Sequence, residues 1–193
     1  EEYEVEMFCI GTEYRISSVK REKFWRALIA EVRECYNGKL TYSSNWDSYH
    51  QIPFWDALDY VGISSYFPLT ESRTPSETEL IDAWQPWLGQ MRDFHRKVDQ
   101  PIIFTEFGYL SVDGSAGKTW ELEKMVKSLP VNELAQAIAI HSLFEVFWDE
   151  PWWHGGFLWK WFPHMSGHEG YPERDYTPQG KVAEITLKEW YGK

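Results

Sequence analysis

The chain has 193 residues, with 30 acidic and 19 basic side chains and a formal net charge of −11. Its 43% hydrophobic and 25% charged residues are typical of a folded globular chain and argue against disorder. The acidic excess argues against a nucleic-acid partner and against an anionic membrane surface, since both need clustered lysine and arginine.

Aromatic residues are unusually frequent, at 18% of the chain, and 12 of them are tryptophans. This is more tryptophan than a core of this size needs. No apolar stretch is long enough to span a bilayer. The first residues, Glu-Glu-Tyr-Glu, show no signal peptide. The compartment therefore stays open between secreted and cytoplasmic.

Short apolar runs alternate with amphipathic stretches along the whole chain. The apolar runs predict buried strands over residues 6–12, 40–44, 60–66, 101–105 and 155–159. The amphipathic stretches predict helices over 20–35, within 76–98, and over 132–148 and 178–191. Ser76 and Glu79 have the spacing of a capping box at the start of the second of these helices.

Five strand–helix repeats of this kind predict a parallel α/β sheet covered on both faces. Both a doubly wound sheet and a (β/α)8 TIM-type barrel fit the pattern. No glycine-rich dinucleotide fingerprint or Walker A loop follows any strand, which favours the barrel. No linker or repeat divides the chain, so residues 1–193 are interpreted as one catalytic-type domain.

Other kinds of reactive site find little support in the sequence. Cys9 and Cys35 have no metal or redox spacing and are expected to be buried thiols. His164 and His168 have HxxxH spacing near His154, but outside any predicted helix, so no metal site is predicted. No serine lies in a nucleophile elbow. No cofactor is implied.

The predicted strand ends carry polar and aromatic residues, which in a parallel barrel face one opening. Two ends carry a glutamate directly after a threonine, at Glu13 and Glu106. Paired carboxyl groups suit glycosidic hydrolysis, in which one protonates the leaving oxygen and the other attacks the anomeric carbon or activates water. Other ends carry groups suited to stacking on sugars and bonding their hydroxyls, namely Asn45, Trp46, Tyr66 and Trp159.

Six segments in order resemble glycoside hydrolase family 113, whose characterised members are retaining β-mannanases of clan A with (β/α)8 barrels. The segments are CIGTE (9–13), LTYSSNWD (40–47), WDALDYVGISSYFPL (55–69), PIIFTEFGY (101–109), GGFLWKW (155–161) and YTPQGKVAEITLKEWY (176–191). The clan commonly has Asn before its acid/base, where this chain has Thr12, in line with the family's own Gly-Thr-Glu usage.

The resemblance implies a role for each matching residue. Glu13 corresponds to the general acid/base on barrel strand four, and Glu106 to the nucleophile on strand seven. Tyr66 resembles the tyrosine that hydrogen-bonds the nucleophile, and Trp159 the aromatic floor at the cleavage point. The remaining residues implied as substrate contacts are Asn45, Trp46, Lys160 and Trp161.

The chain is short for a barrel, which takes about 250 residues. It is expected to hold only strands four to eight, as a truncated or fragment barrel. Five strands cannot close by the usual geometry. Open edges invite pairing, so self-association or pairing with the missing N-terminal barrel segment is expected.

The sequence thus predicts a retaining, endo-acting hydrolase of β-1,4-linked polysaccharide, with mannan as the first candidate substrate. Its two carboxyl groups are expected about 5–5.5 Å apart. Two alternatives stay open. One is a carbohydrate-binding or inactive barrel fragment without turnover, and the other is a related clan A hydrolase acting on another β-glycan.

Overall fold

The structure is a computed structural model that describes residues 4–164 and 172–193. Its centre is a five-stranded sheet whose strands lie side by side in chain order, and the first four pair in parallel. The strands are β1 (Met7–Thr12), β2 (Lys39–Asn45), β3 (Tyr60–Ser64), β4 (Ile102–Phe107) and β5 (Trp153–Leu158). All five predicted strands and the barrel-type βα order are confirmed.

Among the described residues, six α-helices connect or follow the strands: α1 (Arg15–Lys20), α2 (Glu22–Cys35), α3 (Glu77–Val98), α4 (Thr119–Leu122), α5 (Glu133–Phe147) and α6 (Val182–Tyr191). The predicted capping box is present, because Ser76 N–H donates to the Glu79 carboxylate at 2.7 Å and Glu79 N–H donates to Ser76 Oγ at 3.3 Å. In the described part of the chain, no helix could cross a membrane.

The helices differ from the sequence prediction in three ways. The helix predicted over 20–35 is interrupted at Arg21, whose backbone (φ −120°, ψ 46°) is not helical, so α1 and α2 are separate. The last helix begins at Val182 rather than near Pro178, because Lys181 is extended. The short helix α4 was not predicted.

The chain divides into two compact units. The first, here called the sheet unit, holds the chain up to Ser65 with Met91–Glu106 and Pro151–Phe157. The second, the helix-rich unit, holds Tyr66–Gln90, Phe107–Glu150 and Leu158–Lys193.

In the sheet unit, one face of the strands is apolar and fully buried. Its side chains are at most 1% exposed and comprise Leu40, Tyr42, Val61, Ile63, Ile102 and Phe104. Trp25 of α2 packs here, with its ring centroid 5.1 Å from that of Tyr42 and 5.5 Å from that of Phe54. The period-two pattern of β2, β3 and β4 therefore supplies an apolar face, and α2 packs against its β2 part through Trp25.

The opposite face of β2, β3 and β4 is polar and closely spaced. Ser43 Oγ lies 3.0 Å from Ser64 Oγ and 2.7 Å from Thr105 Oγ1, so three strands are joined by hydroxyl hydrogen bonds. A Cβ atom built on Gly62 would lie only 2.3 Å from the Tyr42 carbonyl oxygen and 2.7 Å from Thr105 Cγ2. This spacing requires glycine at position 62.

The two glycines Gly62 and Gly89 provide a matched test of this packing. We expect Gly62→Ala to lower the free energy of unfolding by about 1–3 kcal/mol, because a backbone oxygen cannot move aside. At Gly89 in α3 an added Cβ meets no atom within 4 Å. Gly89→Ala should therefore raise stability by up to about 1 kcal/mol, the helix-propensity gain. Urea unfolding of both variants measures the difference, and equal effects would contradict the packing argument.

In the helix-rich unit, aromatic side chains of α5 and α6 form the core. The Phe144 ring centroid lies 5.5 Å from that of Phe107 and 5.7 Å from that of Trp190. Trp84 of α3 packs edge-on against Phe147 at 5.2 Å. Trp84 and Trp190 are both buried.

A buried polar network fixes the segment around Tyr176 in the same unit. Lys181 Nζ donates to Ser111 Oγ and to the Asp175 carbonyl oxygen, both at 2.8 Å. Gln136 Nε2 donates to the carbonyl oxygens of Tyr109 and Tyr176, also at 2.8 Å. Because the bonds from Gln136 and the bond between Lys181 and Ser111 join groups distant in sequence, the network holds residues 175–176 in one position.

Burial lowers the pKa of Lys181 from 10.5 to about 8, against the opposing pull of nearby carboxylates. The unfolded chain therefore binds more protons than the folded chain between about pH 8 and 10.5. Lys181 consequently penalises folding below pH 8, and the penalty disappears as the pH rises to 10.5.

We expect the stability of the wild-type chain, relative to Lys181→Met, to increase by roughly 3 kcal/mol across this window. Urea unfolding of both proteins at several pH values measures the difference and cancels the titration of other groups. A difference that does not change with pH would contradict a lowered pKa of Lys181.

Candidate active site

Glu13 directly follows β1, as predicted, and its side chain is exposed. Its backbone has φ +54°, in the left-handed region that residues other than glycine rarely adopt. Its N–H donates to the Ser43 carbonyl oxygen at 2.8 Å, which ties this position to β2. Such a conformation costs about 1–3 kcal/mol and persists only where the surroundings impose it.

Glu106 lies inside β4 rather than after it, because β4 continues to Phe107. The register between β3 and β4 shifts between Ile63 and Ser64, and Ser64 pairs with Glu106. Neighbouring strand residues normally point to opposite faces, but a bulge permits two in a row to share one. Thr105 and Glu106 accordingly line the same cavity.

This cavity on the sheet unit has a volume of about 240 Å³. It is lined by Met7, Cys9, Thr12, Thr41, Ser43, Thr105, Glu106 and Phe157. Glu106 lines the cavity directly, whereas Glu13 is represented only by the residue before it, Thr12. The lining is small and polar, apart from Met7, Cys9 and Phe157.

The prediction that both cysteines are buried is wrong. Cys9 and Cys35 are free and exposed. Cys9 lies on the edge strand β1 and faces the open cavity, where no element covers it in the described residues. Cys35 is the last residue of α2, and its Sγ lies 3.4 Å from the Val32 carbonyl oxygen.

Of the histidines singled out in the sequence, the described ones, His154 and His164, do not line this cavity. His154 packs edge-on against Tyr60, with ring centroids 5.5 Å apart. His168 lies outside the described residues. Within residues 4–164 and 172–193, no group of three His, Cys, Asp or Glu side chains is placed to hold a metal ion.

Asn45 and Trp46 follow one another at the end of β2, where both were predicted. The Asn45 carbonyl oxygen accepts a hydrogen bond from Ser48 N–H at 3.0 Å, and both Asn45 and Trp46 are half-buried. Beside them, Arg15 and Asp47 form an ion pair at 2.5 Å. This pair joins the segments after β1 and β2, and sequence analysis missed it because the two residues are far apart along the chain.

The other predicted binding residues belong to the helix-rich unit. The backbone N–H of Trp159 donates to the Phe107 carbonyl oxygen at 2.7 Å, and the Trp159 side chain is 45% exposed. A Cβ at Gly108 would lie 2.0 Å from the Trp159 carbonyl oxygen, so only glycine fits beside it. The peptide bond between Trp159 and Lys160 is cis, and Trp161 is exposed.

Tyr66 and Lys160 each contact a partner that sequence analysis did not single out. The Tyr66 ring packs against Tyr176, with centroids 6.2 Å apart. Lys160 Nζ lies 3.3 Å from Asp175 Oδ2. The Tyr176 hydroxyl in turn donates to Glu123 Oε1 at 2.6 Å. Tyr176 stood in a quoted motif, but nothing in the local sequence marked Glu123.

The fold and these residues together define a chain of the (β/α)-barrel type, with one glutamate inside a strand of its sheet and another directly after a strand. The sequence profile of Glycoside Hydrolase Family 113 matches residues 1–181, and the chain belongs to that family. The predicted family is thereby confirmed.

Solved structures agree with this assignment. The family 113 β-mannanase of Alicyclobacillus acidocaldarius, in complex with ManMIm, is 29% identical with a TM-score of 0.79, and a second family 113 β-1,4-mannanase is 31% identical with a TM-score of 0.83. Each match covers 100% of this chain, but only 57% and 58% of the relatives, so the chain spans little more than half their length.

A more distant match shows the fold alone. The β-glucuronidase of Ruminococcus gnavus is 17% identical with a TM-score of 0.68, over 96% of this chain and 32% of that one. Among curated protein sequences, none matches the chain significantly.

Proposed function

We propose that this chain is the catalytic-type part of a retaining glycoside hydrolase that cleaves β-1,4-linked polysaccharide, with mannan as its substrate. The observation that carries the proposal is the cavity of the sheet unit, which Glu106 lines together with the residue before Glu13. Two family 113 relatives of known structure are β-mannanases, which supports the choice of mannan.

In the proposed mechanism, Glu106 attacks the anomeric carbon and forms a glycosyl-enzyme as the glycosidic bond breaks. Glu13 protonates the departing oxygen, and its carboxylate then removes a proton from the water that releases the sugar. This double displacement retains the anomeric configuration and needs the two carboxyl groups about 5–5.5 Å apart.

The remaining predicted residues would bind the polysaccharide. The exposed indole of Trp159 offers an apolar plane for a pyranose ring, and Tyr66 would hydrogen-bond the nucleophile. Asn45 and Trp46 at the end of β2 would contact sugar hydroxyls and C–H faces. Lys160 and Trp161 would contribute from the segment after β5.

The five strands would correspond to strands four to eight of a closed barrel, with residues 1–193 acting as one domain. β1 and β5 are the edges of the sheet, and Phe8 and Phe157 on them are about half exposed. The unpaired backbone N–H and C=O groups of an edge strand can pair with a strand from another chain or segment. We therefore expect them to pair with a barrel segment supplying the other strands, or with a second copy of this chain.

The decisive experiment is intact-mass analysis after incubation with a 2-deoxy-2-fluoro β-mannobiosyl donor that carries a good leaving group. Such a donor forms the glycosyl-enzyme but releases it slowly. A stoichiometric adduct on Glu106 would support a retaining hydrolase. A folded chain that forms no adduct, alone or with a barrel segment supplying the remaining strands, would contradict it, and retained affinity for mannan would then favour a binding function.

A further inference from the structure

A second cavity, within the helix-rich unit, is formed where the segment after β5 meets the segment around Tyr176. Its volume is about 340 Å³, in the size range of small-molecule sites. Its polar and aromatic lining comprises Glu123, Trp159, Lys160, Asp175 and Tyr176. Of these, only Trp159 and Lys160 have a role implied by the family resemblance.

The polar groups of this cavity are held in place by buried contacts. Asp175 is only 11% exposed, accepts the Tyr176 N–H at 2.6 Å on Oδ1 and faces Lys160 Nζ with Oδ2. Tyr176 is buried, and its hydroxyl donates to Glu123 Oε1. Lys181 and Gln136 donate hydrogen bonds to the backbone carbonyl oxygens of Asp175 and Tyr176, respectively, and so fix this segment. Side chains held in this way can bind a ligand without losing further conformational freedom.

The chemistry of the lining selects a class of ligand. The half-exposed indole of Trp159 suits the apolar C–H face of a pyranose ring. The carboxylates of Asp175 and Glu123 accept hydrogen bonds from hydroxyl groups, and the Lys160 ammonium donates them. A flat apolar plane beside several charged hydrogen-bonding groups is the lining that a sugar unit needs.

The charge balance of the lining distinguishes neutral from acidic sugars. Lys160 and Asp175 neutralise each other, while Glu123 adds a second negative charge, so the lining side chains carry a net negative charge. A sugar with a carboxylate at C6 would meet repulsion here, whereas a neutral hexose would not.

We infer that this cavity is a subsite for a neutral pyranose unit of the polysaccharide, in which Asp175 accepts a hydrogen bond from a sugar hydroxyl and Glu123 selects against uronic sugars. The inference rests on the proposed function for its ligand class and adds specificity residues to it. Glu123, Asp175 and Tyr176 act by binding and positioning, and none of them takes part in bond breaking.

The test measures binding by isothermal titration calorimetry in a Glu106→Gln background, which prevents turnover. The probes are β-1,4-mannotriose and the same trisaccharide with C6 oxidised to carboxylate. We expect mannotriose to bind at least about tenfold more tightly than its acidic counterpart. Glu123→Gln and Asp175→Asn should each weaken mannotriose binding about tenfold, the loss of one hydrogen bond to a charged group.

The matched control is Glu121→Gln, which removes the same charge two residues away, where Glu121 pairs with Lys118 at 3.7 Å. It should leave both affinities unchanged. Glu123→Gln should also reduce the preference for the neutral sugar, which a loss of packing alone would not do. Circular dichroism checks the fold of Asp175→Asn, and the exposed Glu123 provides a variant that does not threaten folding.

The outcomes separate this inference from the proposed function. If the fluorosugar adduct forms on Glu106 but neither Glu123→Gln nor Asp175→Asn alters binding or its charge preference, the subsite is wrong and the hydrolase proposal stands. If no adduct forms but these variants weaken mannotriose binding, the subsite stands and the hydrolase proposal fails. Absence of measurable mannotriose binding overturns the subsite in either case.

Discussion

We expect Glu106→Gln to lose the ability to form a glycosyl-enzyme and to hydrolyse mannan at least about 10⁴-fold more slowly. The amide keeps the shape of the side chain but is not a nucleophile, and loss of a catalytic nucleophile elsewhere leaves only the contribution of binding and electrostatics. Reducing-sugar release from mannan and intact mass with the fluorosugar donor are the two measurements.

Two further variants test whether the effect of Glu106→Gln comes from the position and identity of this carboxylate. Glu106→Asp keeps the charge but withdraws the carboxylate by about one methylene, and a misplacement near 1 Å should cost about 10²-fold. Glu22→Gln removes a surface carboxylate that pairs with Arg26 at 2.8 Å on α2, and should leave the rate unchanged. Full activity of Glu106→Gln would show that another group attacks the sugar.

The second large effect is expected for Glu13→Gln, and it should depend on the leaving group. Substrates with a poor leaving group need a proton from Glu13, so their hydrolysis should slow by about 10²–10⁴-fold. An activated aryl mannobioside leaves unaided, so its glycosylation step should be little changed while release of the sugar slows. A burst of aryl product followed by a slow steady state would show this.

Chemical rescue provides the control for Glu13. Azide needs no general base, so it should restore turnover of the Glu13→Gln variant and give a β-mannosyl azide of retained configuration. It should not restore Glu106→Gln in the same way, because that variant cannot form the intermediate. An equal loss for good and poor leaving groups, without azide rescue, would remove Glu13 from the acid/base role.

The placement of Glu106 illustrates the limit of local sequence patterns. The motif PIIFTEFGY identified a strand and a glutamate near its end, and alternation alone would place Thr105 and Glu106 on opposite faces. The irregular register opposite Ser64 brings both to one cavity. That register depends on how β3 and β4 pair, which no local pattern contains.

Glu13 and Cys9 also show that local sequence patterns do not predict tertiary contacts. The sequence marked Glu13 by its position after an apolar run, but its left-handed backbone and its hydrogen bond to Ser43 on a neighbouring strand are visible only in the tertiary structure. Cys9 was expected to be buried because cysteines usually are. Its exposure follows from its place on an edge strand, a property of the sheet order.

The sequence by itself determined the βα order, the five strands, the capping box at Ser76 and the family. These depend on hydrophobic periodicity and short motifs, which act over a few residues. Only the tertiary structure decided which polar groups meet: Ser43 with Thr105 across the sheet, Asp47 with Arg15, and Tyr176 with Glu123. Such contacts join residues far apart along the chain, and their geometry is set by strand register and packing, which local preferences do not encode.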